Sequence, residues 1–187
     1  MEKFGSGGKN REKIKKIVYV GLFSVFALAL SYIERLIPLD LGLPGIKPGL
    51  ANLSTLIVLY TIGPGAAFSV AAVRICLAAL LFGSPMSFVY SAAGGICSLA
   101  VMILLKKICR CGPLGSSCAA GAVHNAAQLC VAAAITNTAK IFSLLPVLLA
   151  VGAATGALLG IIAGILIPRL SKIKDLPSKE DKNRYIH

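Results

Sequence analysis

The chain is short of charge, and above all of acid. Charged residues make up only 14% of its 187 positions, with seven Asp and Glu against nineteen Lys and Arg. None of those acids falls within the apolar runs that follow Ile46. Chain-elongating prenyl synthases and similar enzymes hold Mg²⁺ and diphosphate on clustered aspartates. Here Asp40, Asp175 and Asp181 are never grouped inside an apolar run, so that catalysis is not expected. The sequence also lacks a GxxxxGK[ST] loop. Gly5-Ser6-Gly7-Gly8-Lys9-Asn10 has the wrong spacing and no strand before it, which excludes nucleotide hydrolysis in a P-loop. The six cysteines (Cys76, Cys97, Cys109, Cys111, Cys118, Cys130) contain no CxxC pair, and no His stands at ligand spacing from Cys109 and Cys111. No metal site, cofactor, haem or iron–sulfur cluster is expected.

What remains is apolar. The composition is 57% hydrophobic with a mean hydropathy of +0.84, well above the ~45–50% apolar usage of soluble domains. Six runs read as helices, at about 16–33, 49–62, 64–83, 86–105, 114–136 and 142–167. Most approach the ~20 residues needed to cross a bilayer; the second is short. Gly63-Pro64, Gly83-Ser84-Pro85 and Gly112-Pro113 separate neighbours as helical turns, with Pro113 in a first turn where its missing N–H is harmless. Ala27-Leu28-Ala29 looks like a signal-peptide cleavage site. The apolar run continues through Ile33 and five more follow, so an uncleaved first helix is the reading.

Fifteen of the nineteen basic residues fall in three clusters: Lys3 to Lys16, Lys106 to Arg110, and Arg169 to Arg184. Lys and Arg gather on the cytoplasmic side of membrane proteins. Threaded through six spans, these clusters land on one side, and the opposite loops are neutral or carry only Lys140. The expectation is therefore an all-α integral membrane bundle of six transmembrane helices with both termini cytoplasmic. It divides into a basic tail at 1–15, a membrane domain at 16–168 and a second basic tail at 169–187, with the polar stretches 1–13 and 171–187 expected to be mobile. Basic residues without interleaved aromatics fit a lipid surface and not a nucleic acid.

Polar residues at membrane depth mark the candidate site. Asn52 lies in the second run, Arg74 in the third, and His124, Asn125 and Gln128 in the fifth. Arg74 and His124 each stand about ten residues from a cytoplasmic helix start, which at 1.5 Å per residue is near the midplane. A central Arg costs at least ~2.5 kcal/mol and must face protein or a wet cavity. His124 and Gln128, four apart, share a helix face. Glu34 is the nearest acid that could serve Arg74. Two readings stay open: these side chains tie helices together, or they bind a ligand. The segment Glu34 to Gly49 is too apolar for a free loop and reads as a lid, with Lys47 and Asn52 aimed at an outward-facing cavity.

Gly152, Gly156, Gly160 and Gly164 recur every four residues, a strip that lets another backbone approach. That backbone belongs either to this chain or to another subunit. Ala27 and Ser31 form a shorter version in the first helix.

Glu34-Arg35-Leu36-Ile37-Pro38 and Pro44-Gly45-Ile46-Lys47-Pro48-Gly49-Leu50-Ala51-Asn52-Leu53 resemble the Gx transporter family, also named heptaprenyl diphosphate synthase component I. The likeness continues through Arg74, Leu80-Leu81-Phe82-Gly83, Ser91-Ala92-Ala93-Gly94-Gly95 and Gly121-Ala122-Val123-His124-Asn125, over about residues 16–168. The resemblance implies a substrate-capture subunit similar to the S components of energy-coupling factor (ECF) importers. Such a subunit is not itself an enzyme. It binds a small vitamin- or cofactor-related molecule and works with a transmembrane coupling protein and two ATPase subunits, for which Ala27 and Ser31 are candidate contacts. The alternative is a membrane accessory subunit linked to heptaprenyl diphosphate or quinone synthesis. A membrane anchor for a redox complex is a third class.

Overall fold

The computed structural model describes residues 5–36, 49–82 and 85–172. Lys47 and the lid expected from Ile37 to Pro48 lie outside the described residues. Six α-helices follow one another: α1 (Gly5–Leu36), α2 (Asn52–Thr61), α3 (Pro64–Phe82), α4 (Pro85–Lys107), α5 (Pro113–Thr136) and α6 (Leu145–Ser171), with a 3-10 turn at Ala139–Leu144 before α6. Three of them open on proline, whose fixed φ suits the first helical position.

Five of the six are long and apolar enough to cross a membrane; α2 is not. Its ten residues rise about 15 Å, half of a ~30 Å hydrocarbon layer. All ten are buried, and α2 touches each of the other five helices. The expected second span is therefore a central half-helix. An apolar run of that composition satisfies a buried core position and a lipid span equally well. Only its length in helical conformation separates the two.

Contacts along the helices fix their directions. Glu34, near the end of α1, accepts from the backbone N–H of Gly49 just before α2. Ser54 Oγ donates to the Phe23 carbonyl at 2.7 Å, so α1 and α2 run antiparallel. At the far end of α2, Tyr60 donates its hydroxyl to the Cys111 carbonyl at 2.6 Å, and Lys106 Nζ donates to the Leu59 carbonyl at 2.9 Å. The ammonium also lies 5.2 Å from the Tyr60 ring centre, so a cation stands at the negative end of the helix dipole. Gly152 of α6 faces Gly121 of α5, and Gly160 faces Leu114, making these two antiparallel as well. As a result Arg11 to Lys16 of α1, Lys106 and Lys107 of α4 and Arg169 of α6 gather at one end of the bundle.

Helix α1 begins at Gly5, within the basic stretch that precedes the first apolar run. Its Arg, Lys and Glu residues are good helix formers, and extending an existing helix costs far less than nucleating one.

The surface is apolar and the interior is mixed. Leu22, Val25, Leu80, Leu158 and Ile161 are exposed, each more than half accessible. Glu34, Asn52, Arg74, His124, Asn125 and Gln128 are buried. A water-soluble fold would reverse this; a bundle in lipid must bury its polar groups against one another. The protein is an all-α, multi-helix membrane bundle.

Candidate binding site

The buried polar residues converge on the start of α2. Gly49 holds φ at +84°, a conformation that side-chain-bearing residues rarely adopt. A Cβ there would also stand 3.1 Å from Asn52 Nδ2 and 3.4 Å from His124 Cδ2. Glycine at this position thus turns the chain into α2 and leaves room for two polar side chains. Glu34 Oε1 takes the Gly49 N–H and, at 3.1 Å, the Leu50 N–H. A carboxylate from α1 therefore caps the positive end of the half-helix.

Asn52 opens α2, and its Nδ2 lies 3.2 Å from His124 Nδ1. Gln128, one turn along α5, places its amide 3.1 Å from His124 Nε2. Both ring nitrogens are engaged. In both contacts the amide nitrogen faces the ring, and an imidazole carrying one proton accepts from only one of them, while its own N–H has a backbone partner at Gly94. This chain of Asn52, His124 and Gln128 joins α2 to α5 near the middle of the 24-residue α5.

Arg74 occupies the middle of α3 and is 4% exposed. Its Nε and Nη2 have no hydrogen-bond partner among the described residues. Unpaired buried donors cost about 1–3 kcal/mol, more when charged, so two on one guanidinium need an explanation.

Two glycines of α4 make room for these groups. A Cβ on Gly94 would lie 2.7 Å from His124 Cε1, and one on Gly95 would lie 3.0 Å from Arg74 Nη2. The sequence reading used Gly94 and Gly95 only as part of a resemblance. A Gly-Gly pair inside a helix sacrifices about 1 kcal/mol per residue relative to Ala, and that sacrifice was the available signal. A cavity of about 10 Å³, the size of one water, opens beside Gly49 and Asn52 and is bounded by Met102, Ser117 and Gly156.

The other predicted residues lie elsewhere. Asn125 turns toward α6, donating Nδ2 to the Leu148 carbonyl at 2.9 Å. Its Oδ1 is buried without a partner among the described residues. Gly152, Gly156 and Gly160 pack on α5 at backbone distance: added Cβ atoms would strike the carbonyls of Gly121 and Ser117 and the Cα of Leu114. Gly164 meets nothing within 4 Å, because α5 begins at Pro113 and α6 has run past it. Ala27 is fully buried in the apolar core and Ser31 is 8% exposed, so both face into the bundle.

Comparison with known proteins adds one match. The family model described as heptaprenyl diphosphate synthase component I covers residues 23–166. No curated protein and no solved structure matches the chain.

Proposed function

The chain belongs to the heptaprenyl diphosphate synthase component I family, also called Gx transporters, and we propose that it is the non-catalytic membrane component of a prenyl diphosphate-synthesising system. The family match, which spans most of the bundle including Glu34, Asn52, Arg74, His124 and Gln128, carries this reading. The scarcity of aspartate supports leaving the chemistry to a separate, soluble partner. The basic end of the bundle faces the cytoplasm, where such a partner and its anionic substrates reside, and both termini lie on that side. Its role is to hold a small molecule or the partner at the membrane.

The unpartnered Arg74 donors favour a second reading, an S component-like subunit of an ECF importer. Half-helices ending near the midplane are a recurring way for transporters to bind a polar group. In that case the chain works with a coupling protein and two ATPases. Affinity purification of the full chain from its native membrane separates the two. A soluble prenyl synthase in the eluate supports the first, and a coupling protein with paired ATPases supports the second.

A further inference from the structure

Four helices meet at the small cavity beside Asn52. Gly49 and Asn52 reach it from the start of α2, Met102 from α4, Ser117 and Gly121 from α5, and Gly156 from α6. At about 10 Å³ it admits one water and nothing larger. None of its lining residues is charged, so it offers no counter-charge to a metal ion or an anion. Nor is it an apolar void, the kind that stays dry. Asn52 and Ser117 bring an amide and a hydroxyl to it from different helices, and each can donate and accept.

The surroundings are short of hydrogen-bond partners. With its own N–H on Gly94, the His124 ring accepts from only one of the Asn52 and Gln128 amides. The other amide nitrogen needs a second acceptor, and Asn52 is the one that borders the cavity. Thr55 Oγ1 and Asn125 Oδ1 are buried without a hydrogen bond among the described residues. Thr55 stands three residues beyond Asn52, and Asn125 four beyond Gly121. Helical side chains lean toward the preceding turn, so both oxygens lean toward the cavity wall. Unsatisfied groups around a polar cavity of this size are the usual mark of an internal water.

We propose that this cavity is a water site, in which one internal water bonds the Asn52 amide to the Ser117 hydroxyl and ties the polar centre to the α5–α6 seam. The water takes the amide hydrogen that the ring does not accept. It fixes Asn52 at membrane depth without adding a charge there, where a charge is costly. The site stands whether or not the polar centre also binds a ligand.

Met102 reports on the site. It borders the cavity and is 1% exposed, whereas Met86 is 46% exposed. X-ray radiolysis of the full chain in mild detergent makes hydroxyl radicals from water where the water lies, and mass spectrometry then measures the oxidation of each methionine. Met102 is expected to oxidise within about tenfold of the Met86 rate, although bulk solvent does not reach it. Ser117→Val removes the hydroxyl and fills the space with methyl groups. Met102 oxidation is then expected to fall at least about tenfold while Met86 is unchanged. Where Ser117→Val fails to fold, Ser117→Ala takes its place, adding no bulk, with a fall of at least about threefold. A wild-type Met102 that stays unmodified while Met86 is fully oxidised overturns the proposal. So does oxidation of Met102 at the wild-type rate in the folded variant, which assigns it to solvent entering through helix motion.

Discussion

The α4 face at Gly94 and Gly95 and the α5–α6 seam at Gly121, Gly152 and Gly156 use the same residue for opposite ends. At the seam, glycine removes side chains so that two backbones touch, and the product is cohesion. On α4, glycine removes side chains so that an imidazole and a guanidinium fit between helices, and the product is a polar centre. In a membrane, where expulsion of water does not hold helices together, close packing must supply the stability that a buried polar cluster consumes. The two regions lie on neighbouring helices and serve each other.

This contrast is broken most severely at the seam. Gly156→Leu drives a branched side chain into the Ser117 carbonyl, and α5 cannot yield without losing its other contacts. The expected cost reaches or passes the ~3 kcal/mol top of the usual overpacking range. It is read as a large fall in thermal midpoint in detergent. Gly94→Ala acts on the other region. Its methyl, 2.7 Å from His124 Cε1, must displace the ring, at about 1–3 kcal/mol and with loss of ligand binding out of proportion to the loss of stability. His124→Ala removes the ring that bridges the Asn52 and Gln128 amides; about 1–3 kcal/mol is expected from chemical unfolding, with ligand retention abolished. Lys106→Met removes the cation at the end of α2, and the effect is expected to be about 0.3–1 kcal/mol by the same assay. Gly164→Ala meets open space and is neutral or stabilising by up to ~1 kcal/mol through helix propensity.

Sequence alone reached much of this arrangement. Asn52, Arg74, His124 and Gln128 stood out because a polar side chain in an apolar run is costly, and the structure brings all four to one region near the middle of the bundle. Glu34 stood out as an acid at the outer end of the first apolar run. Its contact with the Gly49 and Leu50 N–H groups did not, because that depends on α2 beginning at mid-depth. Hydropathy reports where apolar residues lie and not whether lipid or protein covers them, so the run at 49–62 read as a sixth span. Asn125 stands about 100° round α5 from His124, and the sequence does not show that α6 is what occupies that side. The four-residue glycine period was plain, but its end at Gly160 depends on where α5 starts, which the period does not record.

The central claim is that the polar cluster at the start of α2 holds a ligand and does more than tie helices together. Native mass spectrometry of the full chain in mild detergent, with thermal midpoints measured on the same preparations, tests it directly. The account predicts a small-molecule adduct on wild type and Gly164→Ala, absent from an Arg74→Gln protein whose midpoint stays close to wild type. The same adduct on Arg74→Gln, or its loss only where the fold is lost as well, would contradict it.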